Sequence, residues 1–147
     1  MKEKLQKNKI FTLNKLIEIS KSLKKKRKKL VLCHGVFDLL HIGHIKHFQE
    51  AKKNGDILIV TLTADEFVNK GTNRPYFNNF LRAEALAAIN VIDYVAINHD
   101  SSAINIIKKI KPNIYFKGDE YKMNDQDITG MIKKEKDEIK KNGGQIK

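Results

Sequence analysis

A chain of 147 residues, 41% of them hydrophobic, is long enough for one domain with its own core and needs neither disulfides nor a structural metal. Its single cysteine, Cys33, lies inside an apolar run and cannot close an internal bridge, which suits a reducing compartment and a small core side chain rather than a nucleophile. The formal net charge of +12 raises the question of a polyanionic partner, but only three of the 29 basic residues are arginine (Arg27, Arg74, Arg82), and with isoleucine and asparagine also abundant a biased genome accounts for the excess, so no nucleic-acid partner is expected.

The opening residues, Met1-Lys2-Glu3-Lys4, lack the apolar core of a signal peptide, and no later stretch approaches a membrane span. A cytoplasmic protein without a membrane partner is expected. Residues 1–9 are charged and predicted to fray. From Phe11 to Lys26, Leu13, Leu16, Ile17, Ser20 and Leu23 recur at helical spacing behind Thr12, a natural N-cap. The six basic residues Lys24 to Lys29 read as a solvated helix end whose charges suit the helix dipole, with an anion patch as the competing reading. Residues 1–27 are therefore expected to form a helical extension to a domain spanning 28–147.

Leu30-Val31-Leu32-Cys33 is an unbroken apolar run, the pattern of a strand buried on both faces of a parallel sheet. Gly35 falls where that strand ends, where a side chain would obstruct a ligand's approach to the backbone. His41 and His44 then stand three apart at the start of a helix predicted over 41–54, on one face and at the end where backbone N–H groups point outward. A strand, a glycine turn and a helix N-terminus make a phosphate-binding arrangement, here with two imidazoles added. Gly55 stops the helix, and Ile57-Leu58-Ile59-Val60 is a second buried strand. A short helix or turn over 64–69 and a loop over 70–75 follow. Next come a helix over 80–89, a strand over 93–97, a helix over 103–110 capped by Ser101, and a strand over 114–116. A charged helix over 125–141 closes at Gly143-Gly144, and Gln145-Ile146-Lys147 reads as a strand just begun.

Strands alternating with helices predict an α/β domain, a Rossmann-like doubly wound and mostly parallel sheet with helices on both faces. Ligands of such sheets bind at the carboxyl ends of the strands. That rule gathers Gly35 to His44, the segment around Asp65, the loop from Lys70 to Arg74, and Lys117 to Tyr121 on one rim.

The run Gly35-Val36-Phe37-Asp38-Leu39-Leu40-His41-Ile42-Gly43-His44 resembles the signature of the cytidylyltransferase-like nucleotidyltransferases. Lys70-Gly71 with Arg74-Pro75, Arg82 at the matching distance, the segment from Pro112 to Lys122, and Asn142-Gly143-Gly144 are similar to one branch, the heptose 1-phosphate adenylyltransferase domain of ADP-heptose synthases. Two departures stand out: His34 replaces an asparagine usual in that branch, and the family continues with a further strand and helix beyond Lys147. The resemblance therefore implies a domain cut before its last strand and helix, from a longer protein in which a sugar kinase domain is a common companion.

The reaction it implies is transfer of a nucleoside monophosphate from a triphosphate, with ATP favoured, to a sugar phosphate such as heptose 1-phosphate, releasing pyrophosphate. A CTP-dependent enzyme acting on glycerol 3-phosphate or a related polyol phosphate is the alternative, and a basic nucleic-acid-binding module a distant one. The His-x-Gly-His run is shared with class I aminoacyl-tRNA synthetases, for which the chain is too short. His41, His44 and Lys70 are the implied catalytic residues, donating to or neutralising phosphate oxygens. Gly35, Val36, Phe37, Gly43, Arg82, Lys117 and Gly118 would bind nucleotide, with Arg82 engaging phosphate bidentately or else pairing on the helix surface with Glu84. Asp38, Arg74, Asp119 and Tyr121 are candidates for the acceptor. Against them stand a helix-capping role for Asp38, loop bracing for Arg74 and loop stabilisation for Asp119. Mg²⁺ is expected to bridge the phosphates with few protein ligands. His41 and His44 have no Cys or carboxylate at a convincing third position, so no protein metal site is expected. A homodimer is a family-level expectation.

Overall fold

The computed structural model describes residues 9–118 and 130–147. Residues 1–8 of the stretch predicted to fray, the candidate ligand residues Asp119 and Tyr121, and the beginning of the helix expected from residue 125 lie outside them. Five strands, β1 (Leu30–Gly35), β2 (Ile57–Thr63), β3 (Tyr94–Asn98), β4 (Ile114–Tyr115) and β5 (Gln145–Ile146), form one sheet in the order β3-β2-β1-β4-β5. Every pairing between them is parallel.

The helices are α1 (Leu13–Lys25), α2 (Ile42–Lys52), α3 (Asn79–Ala87), α4 (Ile104–Ile110) and α5 (Met131–Lys141), with a 3₁₀ turn over Asp65–Phe67. Strand β1 shows why its apolar run has no polar alternation. Val31 and Cys33 face a core shared with Phe48 and Ala51 of α2 and Ala83, Leu86 and Ala87 of α3. Leu30 and Leu32 face the opposite core, shared with Leu16 of α1, Ile106, Ile107 and Ile110 of α4, and Ile139 of α5. With period-2 side chains and both faces covered, each position must be apolar. Burial pushes the Cys33 thiol above its ordinary range, against a weaker opposing pull from Lys117, which fits a core side chain and not a nucleophile.

Residues 9–27 pack against the sheet, with Leu16 of α1 in the second core. Thr12 caps α1 by accepting from the Lys15 N–H, and Leu16 is fully buried. Ahead of the helix the chain runs along the free edge of β3, where the Phe11 N–H donates to the Val95 carbonyl (2.9 Å) and the Val95 N–H to that of Lys9 (2.8 Å). This covers an otherwise unpaired sheet edge.

Two local expectations shift. Helix α4 begins at Ile104, and the hydroxyl accepting its first N–H is that of Ser102, while the Ser101 N–H donates to Asp100. Helix α2 ends at Lys52, before Gly55. The glycine at 55 is required instead by packing, because a Cβ there would lie 2.8 Å from the Lys29 carbonyl oxygen. No helix among the described residues is long and apolar enough to cross a membrane.

Candidate active site

The carboxyl ends of β1, β2 and β4 open on a cavity of about 520 Å³. Four of the chain's five histidines, His34, His41, His44 and His47, line it together with Lys70 and Lys117.

The two histidines of the signature build the start of α2. His41 is the N-cap residue, and its Nδ1 accepts from the Gly43 N–H at 3.0 Å. The Nδ1 of His44 accepts in return from the His41 N–H at 3.3 Å. This is a reciprocal capping box in which imidazoles do what a serine and a glutamate usually do. Two consequences follow. The rings are held with centroids 4.1 Å apart on one side of the helix start, and with both Nδ1 atoms accepting, each neutral imidazole carries its proton on Nε2. Gly43 is required here, because a Cβ would meet the His41 ring at 2.7 Å.

The turn between β1 and α2 is built around Phe37, which takes a left-handed backbone conformation (φ 52°). Its ring packs edge-on to His44 and Phe48 and folds back over Gly35, where a Cβ would approach its Cζ to 2.8 Å. Gly35 therefore makes room for Phe37 while it also lines the cavity. At the base of the cavity His34 Nδ1 is 2.9 Å from the buried Thr61 hydroxyl, and its Nε2 is 3.5 Å from that of Thr63. Burial, reinforced by the Lys117 ammonium, pushes the His34 imidazole down to about 4 against weaker opposing pulls from Thr61 and Asp100, so the ring is neutral at pH 7.

Lys117 enters the cavity from beyond β4. Its Nζ lies 3.6 Å from the buried Glu135 carboxylate of α5 and 5.3 Å from the Tyr115 ring centroid, while the Tyr115 hydroxyl donates to the same carboxylate at 3.1 Å. Gly118 follows with φ 66°, and a Cβ there would press on the His47 ring. Lys70 reaches the opposite wall from an exposed loop.

Of the expected ligand residues, Gly118 lines an adjoining pocket with Gly43, His47 and Phe116, and Arg82, Asp38 and Arg74 also lie outside this cavity. Arg82 is 1% exposed: its Nε donates to the Phe77 carbonyl, its Nη1 to those of Val36 and Thr63, and its Nη2 to Asp65 at 2.6 Å. Its ion pair is with Asp65, not with Glu84. Its planar fork stitches the signature turn, the end of β2 and the approach to α3 into one unit. Asp38 does not cap α2. It is 6% exposed and accepts from the backbone N–H groups of Tyr76 and Phe77 and from Arg74 Nε, at 2.8, 3.0 and 2.9 Å. Burial alone would raise its carboxyl, but the Phe77 and Tyr76 amides and Arg74 outweigh it and hold the group below the ordinary aspartate value. Arg74, stacked 4.6 Å over the Tyr76 ring, braces that loop.

The residues not singled out in advance as ligands are His34, His47, Thr63 and Phe116. His34, Thr63 and Phe116 sit at strand ends, so the carboxyl-edge rule applied strand by strand points to them. His47 follows His44 at helical spacing, which places it on the same face.

The cytidylyltransferase-like family matches residues 32–143. The chain belongs to that family. Its domain is accordingly of the nucleotidyltransferase kind. Bifunctional protein HldE of Nitratiruptor sp. is 44% identical over 106 residues, 71% of this chain and 23% of that protein. HldE of Geobacter metallireducens is 37% identical over 140 residues, 94% of this chain and 27% of that protein. The chain thus spans about a quarter of the length of these curated relatives. Among solved structures, a lipopolysaccharide core biosynthesis protein from Thermoplasma volcanium superposes with a TM-score of 0.61 at 27% identity, over 82% of this chain and 93% of that one. Pantoate-beta-alanine ligase from Francisella tularensis gives 0.64 at 16% identity over 94% and 65%, which speaks for the shared fold.

Proposed function

We propose that this cytidylyltransferase-like domain transfers AMP from ATP to a heptose phosphate and releases pyrophosphate. The observation that carries the reading is the pair of capping imidazoles, 4.1 Å apart at a helix start, sharing one cavity with Lys70 and Lys117. The choice of ATP and heptose phosphate draws on the 37–44% identity to the HldE proteins. The bifunctional name and greater length of those relatives support a fused or associated sugar kinase domain, with a homodimer and a cytoplasmic setting as companion proposals.

In this reaction an ionised oxygen of the acceptor phosphate bonds to the α-phosphorus, and the bond from that phosphorus to the bridging oxygen breaks, the electron pair leaving with pyrophosphate. The nucleophile is already an anion near neutral pH, so no general base is needed. Catalysis rests on positioning and on neutralising the charge that gathers around the α-phosphorus. The Nε2–H groups of His41 and His44 supply fixed donors, and the outward N–H groups of α2 add their dipole. Lys70 and Lys117 are mobile point charges for the remaining phosphate oxygens. The cavity lining contains no carboxylate, so the described residues offer no direct magnesium ligands there, and Mg²⁺ would enter as part of the triphosphate substrate.

The test is pyrophosphate release with ATP and CTP, each crossed with heptose 1-phosphate and glycerol 3-phosphate. ATP with heptose 1-phosphate should turn over fastest, and turnover with CTP alone would overturn the adenylyl assignment. His44→Ala should lower kcat by about 10²–10³-fold, the usual effect of removing one transition-state donor. An unchanged rate would remove the imidazole from the chemistry.

A further inference from the structure

The rim opposite the cavity is as one-sided in charge as the cavity is rich in histidine. Helices α1, α4 and α5 all end at the amino edge of the sheet, and each ends in lysine: Lys24 and Lys25, Lys108 and Lys109, Lys140 and Lys141. The run from Lys24 to Lys29 and the turn residue Lys111 add to them. The three ends converge around one point. Lys24 Nζ donates to the Lys111 carbonyl, the Leu30 N–H donates to Asn113 Oδ1, and the Gln145 N–H donates to the Asn113 carbonyl. Except for Lys24 these cations are exposed, and none of them forms an ion pair among the described residues. Among the described residues the nearby acids are few: Asp56 accepts the Lys29 backbone N–H, and Asp137 and Glu138 lie in the last turns of α5. Lys24 is held below the ordinary lysine value by burial and by Lys111, a sign of cations crowded together.

Genomic bias toward lysine would spread the excess over the whole surface. Around α2 two of the cations are matched, Lys52 with Asp93 and Lys53 with Glu50, with Lys46 the exception, and the two remaining arginines are paired as well, Arg74 with Asp38 and Arg82 with Asp65. Helix C-termini favour a cation or two each, which leaves the Lys26 to Lys29 run and Lys111 over. We propose that this rim is a docking surface for an anionic lipid bilayer, with the nucleotide cavity facing away from the membrane. Adsorption of this kind needs no spanning helix, so it stands beside the lack of an apolar span. The cations are nearly all lysine, flexible point charges that suit laterally mobile headgroups, and clusters of this size are what anionic leaflets attract. A nucleic acid would call for planar guanidinium forks and stacking rings. The rim has one arginine, Arg27, and among the described residues the exposed aromatic ones, Phe67, Tyr76, Phe77 and Phe80, all lie between the end of β2 and the first turn of α3.

The test is co-sedimentation of the full chain with phosphatidylcholine vesicles, pure or mixed with phosphatidylglycerol, at low and physiological salt. Binding should require the anionic lipid and weaken with salt. Combining Lys25→Gln, Lys26→Gln, Lys28→Gln and Lys29→Gln should lower the partition coefficient by at least about 100-fold, taking about five-fold per lysine at the surface. Thermal unfolding and pyrophosphate release should be unchanged, and a variant that fails to fold is replaced by Lys108→Gln with Lys109→Gln and Lys111→Gln. Lys46→Gln with Lys53→Gln, on the other face, should bind vesicles as the parent does. Equal binding to neutral and anionic vesicles, equal losses in both sets of variants, or displacement from the vesicles by duplex RNA at matched phosphate concentration would each overturn the proposal.

Discussion

Arg74 and Arg82, like Lys70 and Lys117, belong to the carboxyl rim of the sheet where the family's ligand residues are expected, yet the two kinds of cation behave differently. The arginines are consumed by the protein: Arg82 binds three carbonyls and Asp65 in the interior, and Arg74 is held by Asp38 against Tyr76. The lysines line the cavity, one from an exposed loop and the other beside a single carboxylate. The difference follows from side-chain chemistry. A rigid planar fork with five donors satisfies several fixed backbone acceptors at once, which is what a buried junction of loops requires. A single ammonium on a flexible stem can follow a phosphate that shifts during reaction.

The largest effect should come from the most deeply committed arginine. Arg82→Met leaves the Phe77, Val36 and Thr63 carbonyls and the Asp65 carboxylate without their donor, and about 3–5 kcal/mol of stability should be lost, as for other broken buried pairs. Urea unfolding measures it. A loss well under 1 kcal/mol would mean that the fork is dispensable and that its place among the binding residues should be reopened.

A smaller, pH-dependent effect separates the floor of the cavity from its walls. The His34 imidazole is depressed from its ordinary 6.5 to about 4 in the folded protein. Between those values the unfolded chain takes up a proton that the folded chain refuses. Stability is therefore intact above pH 6.5 and declines as pH falls toward 4, with a limiting slope of about 1.4 kcal/mol per pH unit for one group. Comparing unfolding across that window for the parent and His34→Asn isolates the contribution. A parent curve no steeper than the variant's would mean that His34 titrates normally.

How much of this was legible in the sequence depended on whether a pattern or a contact was at stake. The alternation of Leu30 to Cys33 between two cores, the carboxyl-edge gathering and the His41–His44 pair are consequences of period, order and spacing, and they are visible in the chain. The capping box was not, because histidines do not belong to the usual capping alphabet. Nor were the partners of Asp38 and Arg82, whereas loop bracing by Arg74 was one of the two readings its sequence allowed. Apart from the Arg82 bond to Phe77, five positions back, Asp38 and Arg82 bond to groups some 17 to 46 positions away, and nothing local distinguishes a cation aimed at a phosphate from one aimed at a carbonyl. Gly35 shows the same limit, since the aromatic ring that demands it reaches back from a residue with an uncommon backbone conformation.

The gentlest test asks how loosely Lys117 is held. At 3.6 Å from Glu135 Oε2, with its side chain 16% exposed, the ammonium is near enough to feel the carboxylate and too far for a strong bond. Glu135→Gln keeps the shape and an oxygen for the Tyr115 hydroxyl while removing the charge that draws Lys117 back toward α5. The freed ammonium then adds its full charge to the cavity. The KM for the triphosphate should fall by about two- to five-fold, the equivalent of a weak ion pair, with kcat little changed. A rise in KM would show the opposite arrangement, in which Glu135 aims Lys117 at the ligand, and Lys117 would then belong with the arginines as a cation fixed by the fold.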